Sequence, residues 1–314
     1  MIFNILNIVI PVFLVIGAGY TAVRVQWMTD VTIDSLMRFT ANVAIPCLLF
    51  AAVSRLDLAA VFDWRLLLSF YSGATLSFIL GTLGARYLFK HHPSDAVAIG
   101  FGALFSNSLL LGLPIMERAY GSDALAANFA IIAIHAPLCF LLGITAMEYT
   151  RAERPGRRLI ATGQAVLSAM FRNALTIGLA LGFVVNLSGL PAPEALMSAV
   201  DLMALAALPT ALFGLGGVLT RYPFRVAVPE ALMIASLSLV LHPLIAYSMS
   251  HWVFALDASF VRSATVTAAM APGINAYIFA SLYQRGQAQS AAAVLLGTAL
   301  SVMTVSLWLM LLGT

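Results

Sequence analysis

Apolar residues run through this chain in blocks of about 20, each long enough to cross a hydrocarbon core about 30 Å thick. The blocks fall at 4–24, 33–53, 64–88, 95–118, 124–149, 164–187, 194–218, 226–251, 259–283 and 288–312. Within them polar and apolar positions do not alternate, as they would in the strands of a membrane barrel. Backbone groups in lipid must be satisfied inside the spanning element, so continuous apolar runs predict helices. The reading is an all-α polytopic membrane protein with ten transmembrane helices. Connections are short and hold the turn residues, as in WMTD at 27–30, KHHPSD at 90–95 and PAPE at 191–194.

The longest polar stretch, TRAERPGRRL at 150–159, is a seam. It divides the chain into a first five-helix repeat, 1–149, a basic linker, 150–161, and a second five-helix repeat, 162–314. Three landmarks recur at a nearly constant offset. Pro46 in ANVAIPCLLF matches Pro209 in LAALPTALF, 163 residues on, and Gly121 matches Gly286, 165 residues on. The Ala-rich starts at Ala124 and Ala288 are the third pair. An odd number of spans per half inserts the second half upside down. Inverted repeats of this kind belong to secondary transporters, with the site near the midplane where the repeats meet.

Composition agrees with the pattern and charge orients it. Hydrophobic residues make up 61% and charged residues 9%, against about 25% charged in a soluble domain. Arg24, Arg86, Lys90, Arg151, Arg154, Arg157, Arg158, Arg172, Arg221, Arg225 and Arg285 fall on one side if the helices alternate; Arg55, Arg65, Arg118 and Arg262 fall on the other. The first side is therefore predicted to be cytoplasmic, with both termini outside the cell's inner membrane. The net charge of +3 is thus a topology signal, not a sign of nucleic acid. The N-terminal block has no basic residues ahead of it and no cleavage site after it, so it reads as a span and not a leader. Cys47 and Cys139 stand alone in apolar runs and suggest neither a disulfide nor a metal site.

Candidate chemistry lies where two helices break. The fourth reads IGFGALFSNSLLLGLPIM, with Ser106, Asn107 and Ser108 between apolar arms and Pro114 beyond. The ninth reads VTAAMAPGINAYIFASLY, with Pro272, Gly273 and Asn275 at the corresponding depth. Proline removes an amide donor, and glycine tolerates unwound backbone. Backbone freed at mid-membrane survives only where it lines a cavity or finds partners. Each half-helix beginning there offers unpaired N–H groups to an anion, and the two asparagines add amide donors.

SNSLLLGLPI, APGINAYIFASLY and ANVAIPCLLF together resemble the auxin efflux carrier family, over nearly the whole chain. The short central loop is similar to that of bacterial members and not of the plant PIN-type carriers. The ninth helix departs from the plant pattern, in which the proline stands nearer Asn275 or Ala276. The resemblance implies a bile-acid/sodium symporter-like fold: scaffold helices 1, 2, 6 and 7, and transport helices 3–5 and 8–10 containing two crossing broken helices. It adds Asn42 and Pro46 to the candidate substrate-binding residues and implies a small organic anion, such as malonate, malate or an auxin-like acid. Neither break carries a basic residue, so helix dipoles and amides are expected to hold the anion.

Charges inside the membrane are costly and often mechanistic. Asp201, His135 and His242 are candidates for proton coupling, each against a plain packing role; Arg38 either attracts the anion or snorkels to the interface. The coupling ion is left as H+ or Na+, with no cofactor expected. A homodimer through the glycine-bearing scaffold helices is a further expectation. An enzyme is disfavoured: no HExxH motif, no paired helical aspartates and no Ser–His pair are present, and the one lysine, Lys90, lies in a loop. Two alternatives to an anion carrier stay open, a sodium-coupled symporter of bile-acid type and a non-transporting receptor.

Overall fold

The apolar blocks fold as helices with bounds near the predicted ones. The computed structural model describes residues 2–56, 62–151, 174–189, 193–222 and 227–313. α1 spans Ile2–Arg24; α2, Asp30–Phe39, passes through a wide π-helical turn, Thr40–Ala44, into α3, Ile45–Ser54. α4 is Trp64–Tyr87. α5, Pro93–Leu104, is separated from α6, Leu113–Tyr120, by an extended stretch and a wide turn at Ser108–Gly112. α7 is Ala126–Arg151, α8 is described over Ala174–Ser188, and α9 is Glu194–Leu219. α10, Val228–Ser236, runs through a wide turn, Leu237–Leu241, into α11, His242–Tyr247, and a last wide turn, Ser248–Val253. α12, Ala258–Ala268, is broken from α13, Ile274–Tyr283; α14, Gln287–Leu312, closes the chain.

Seven of these stretches are long and apolar enough to cross a membrane. The expected fourth and ninth spans are interrupted and so are not continuous helices of that length. Of the expected sixth, 164–187, residues 174–187 are described; the linker 150–161 beyond Arg151, and Arg172 and Arg225, lie outside the described residues. Leucines such as Leu14, Leu205 and Leu311 are more than 60% exposed, as side chains facing acyl chains are. Among the described residues there is no β-strand beyond one isolated bridge.

Three wide turns share a cause. Thr40–Ala44 precedes Pro46, Ser108–Gly112 precedes Pro114, and Leu237–Leu241 precedes Pro243. A proline cannot donate to the carbonyl four residues back, and its ring crowds that carbonyl. Widening the turn relieves the clash without ending the helix.

The chain condenses into two compact units. The first holds Met1–Val9, Asp63–Val166 and Tyr222–Thr314; the second holds Ile10–Phe62 and Leu167–Arg221. In the second, α1 and α9 meet backbone to backbone: a Cβ on Gly19 would collide with the Phe213 carbonyl, and one on Gly216 with that of Ile16. The Asn186 amide closes the C-terminal end of α3, donating to the carbonyls of Val53 at 3.0 Å and Leu56 at 2.7 Å. In the first unit, small buried side chains (Ala85, Ala96, Ala103, Ala292) let α4, α5 and α14 pack closely with α10. Pro11 leaves the Asn7 carbonyl without its intrahelical donor, and Arg118 supplies one at 2.9 Å, with a second bond to Ile8 at 3.0 Å.

Candidate functional site: the crossing of two broken helices

α12 ends where its sequence removes the next donor. The carbonyl of Ala268 would bond the amide of residue 272, which is proline. Gly273 then takes an extended conformation (φ −77°, ψ 158°) before α13 begins. In the other break the chain leaves α5 at Phe105, also extended (φ −95°, ψ 90°), and turns at Asn107 (φ −79°, ψ 54°).

The two breaks repair each other. The Asn107 amide donates to the Ala271 carbonyl at 2.7 Å, and the Gly273 amide donates to the Phe105 carbonyl at 2.8 Å. These bonds form a single antiparallel bridge between Ser106 and Pro272. Backbone groups that would be orphaned in lipid are thus paired within the first unit. The helical turns beginning at Ser108 and at Ile274 start from this crossing, and their first N–H groups have no intrahelical acceptors.

Side chains at the crossing are polar and buried. Ser106 and Ser108 share a hydroxyl hydrogen bond of 2.7 Å. Asn107 is 5% exposed, and its Nδ2 has no hydrogen-bond partner among the described residues. Asn275, expected in the unwound stretch, instead lies half-buried in the first turn of α13, because one extended residue, Gly273, is enough to restart the helix.

A second layer steadies the bridge. His135 on α7 lies with Nε2 3.1 Å from the Ser106 carbonyl; a carbonyl only accepts, so that nitrogen carries the proton. Cys139 Sγ is 3.7 Å from His135 Nδ1, and the Phe105 ring packs on the imidazole at 4.6 Å. The Ser238 hydroxyl donates to the Met270 carbonyl at 3.2 Å. A Cβ on Gly297 would fall 2.5 Å from Pro272 Cδ, so α14 must be bare there for the bridge to fit.

The remaining sequence candidates divide. His242 donates from Nε2 to the Phe70 carbonyl at 3.1 Å, and the Phe70 ring touches both imidazoles, at 4.7 Å for His242 and 5.6 Å for His135. Asn42, Pro46 and Asp201 belong to the second unit. Asn42 is exposed on the wide turn before Pro46, and Pro46 packs on the bare backbone of Gly178. Asp201 is held by Arg55 in a two-pronged ion pair of 2.9 and 2.8 Å, both partners about half exposed. Arg38 is exposed and not paired with Asp201. Sequence reasoning missed Phe105, Ala271, Ser238 and Gly297; a glycine inside an apolar helix was the available signal for the last.

One helix broken at Phe105–Asn107 and another at Pro272–Gly273, bridged through their extended segments, are discontinuous helices of the kind that transporters use. A sequence profile of the family described as "Membrane transport protein" matches residues 4–309. The chain belongs to this family, the auxin efflux carriers. Relatives of this auxin efflux carrier family member span its length. A protein of Rhizobium meliloti (strain 1021) named "Putative malonate transporter" is 26% identical over 96% of this chain and 94% of its own. One from Methanothermobacter thermautotrophicus (strain ATCC 29096 / DSM 1053 / JCM 10044 / NBRC 100330 / Delta H), named "Uncharacterized transporter", is 25% identical over 96% of both chains. The carrier is a multi-pass membrane protein that moves a small molecule across a lipid bilayer, not an enzyme.

Proposed function

We propose that the protein is a secondary active transporter of a small carboxylate, of the malonate, malate or auxin-like class, which binds at the crossing. The observation that carries this reading is the Asn107 side-chain nitrogen, Nδ2, buried and without a partner among the described residues, at the crossing where two helical turns begin. Positive dipole ends and free N–H groups attract an anion, and the absence of Lys, Arg, Asp and Glu between 105–112 and 269–275 leaves that attraction unopposed. A relative named for malonate supports the substrate class.

The architecture proposed with it is ten spans in two inverted five-helix repeats, 1–149 and 162–314. The first unit, which holds the crossing, is the moving transport domain. The second is the scaffold, with a homodimer formed through it. The division of the chain into units that group 63–166 with 222–314 supports this assignment. The protein sits in the cell's inner membrane with both termini outside.

The test is thermal stabilisation of purified protein by malonate, malate and indole-3-acetate, paired with uptake into proteoliposomes. A bound carboxylate at 100 times its dissociation constant stabilises the fold by about 2.7 kcal/mol. Asn107→Ala is expected to abolish that stabilisation and the uptake while melting as a folded protein. Full uptake by the variant would overturn the site, and stabilisation without uptake in the wild type would overturn the transport reading for that ligand.

A further inference from the structure

Each break also exposes a negative helix end, and the one at α12 is furnished with oxygen. Ala268 has no amide to accept from, because Pro272 stands in its partner's place, and the carbonyls of Val266 and Thr267 receive no backbone N–H among the described residues. Leading to that end are Ser263 and Thr267, four residues apart and so on one face of the helix; both are fully buried. A hydroxyl in a helix ordinarily bonds back to the carbonyl one turn earlier. Ser263 Oγ makes no hydrogen bond with the described residues.

Facing them is Asn128, in the first turn of α7 and also fully buried. Its Nδ2 donates to Thr267 Oγ1 at 2.6 Å, which turns Oδ1 away, and Oδ1 has no partner among the described residues. Unsatisfied buried oxygens call for a ligand. The chemistry selects it. All donors are neutral hard oxygens, and no cluster of three His, Cys, Asp or Glu occurs among the described residues, which disfavours divalent and transition metals. None of the side chains titrates, so the ligand is not a proton. A water molecule can donate to two of these oxygens, whereas a cation draws on all of them and on the partial negative charge of the helix end.

We propose that Asn128, Thr267 and the open carbonyl end of α12 form a sodium site inside the first unit, with the buried Ser263 hydroxyl one turn behind it. Its ligands carry no net charge, so the ion keeps its own. An anion at the positive helix ends balances that charge, and each ligand then favours the other's binding. This coupling rests on the anion reading above; the sodium site itself does not.

The experiment therefore omits the anion. Purified protein is melted in NaCl, KCl and choline chloride at one ionic strength. The wild type is expected to melt about 2–4 °C higher in sodium at tenfold excess over its dissociation constant, saturably and with a smaller response to potassium. Thr267→Val, which keeps the shape and removes the hydroxyl, and Asn128→Leu are expected to lose the sodium response, and Asn107→Ala to keep it. Should Asn128→Leu fail to fold, Thr267→Val decides alone. Equal melting in the three salts, a response retained by Thr267→Val, or one lost equally in Asn107→Ala would overturn the site. A sodium response without any carboxylate binding would overturn the anion reading and leave this one standing.

Discussion

A buried primary amide that donates to nothing gives up about 1–3 kcal/mol, and Asn107 does so at the one place where two extended segments meet. Its neighbours serve structure: Ser106 and Ser108 bond each other, and the Ser106 carbonyl accepts a hydrogen bond from His135 Nε2. Gly297 sets the clearance behind the bridge. Gly297→Val would drive branched carbon into the Pro272 ring, which lies 2.5 Å from even a single added Cβ. Overpacking of this kind costs about 1–3 kcal/mol, and relief by moving Pro272 would pull on the bond between Gly273 and Phe105. The expected outcome is a lower melting temperature with uptake reduced further than folded protein. Gly17→Ala is the control: no atom lies within 4 Å of its added Cβ, and it should change neither measurement. Equal uptake by Gly297→Val would show that the bridge tolerates displacement.

At the scale of elements, proline placement organises both the regular and the irregular backbone. Pro114 stands two residues after the wide turn Ser108–Gly112, so that turn runs directly from Asn107. In Pro114→Ala the restored amide can bond the Leu110 carbonyl and draw the turn into α register. A wide turn holds one residue more than an α turn, and losing it rotates whatever precedes it by about 100°. Asn107 would then be re-aimed while α6 stays helical. Uptake is expected to fall steeply with no loss of melting temperature; unchanged uptake would mean that the wide turn does not position Asn107. The helices themselves were legible in the sequence, since apolar length fixes a span: 64–88, 194–218 and 288–312 lie within one residue of the helices found. The breaks were legible too, through Pro272 and Gly273. Their pairing was not. The acceptors are backbone carbonyls of Phe105 and Ala271, which any residue carries, and contacts between positions 164 and 168 apart in sequence leave no local period. Asn128 was equally silent, as one polar residue in an apolar run whose partner, Thr267, lies in another helix.

For the whole molecule, orientation follows from charge alone and can be tried separately from the site. If the basic connections face the cytoplasm, the linker at 150–161 with its four arginines, the turn at 86–90 and Arg285 lie inside, while Arg55, Arg65, Arg118 and Arg262 lie outside. The outer set is already neutralised locally in part. Arg55 is paired with Asp201, Arg118 with the Asn7 carbonyl freed by Pro11, and Arg262 lies 4.8 Å over the Tyr120 ring. The check is membrane-impermeant thiol labelling in intact cells, on a variant whose Cys47 and Cys139 have been replaced. A single cysteine at 155 should label only after the membrane is opened, and one added after Thr314 should label at once. Labelling in the reverse order would invert the molecule and exchange which end of the crossing opens to each side. Equal labelling of both positions in intact cells would place the C-terminus and the linker on the same side. That requires an even number of spans in the second half and would remove the five-helix inverted repeat.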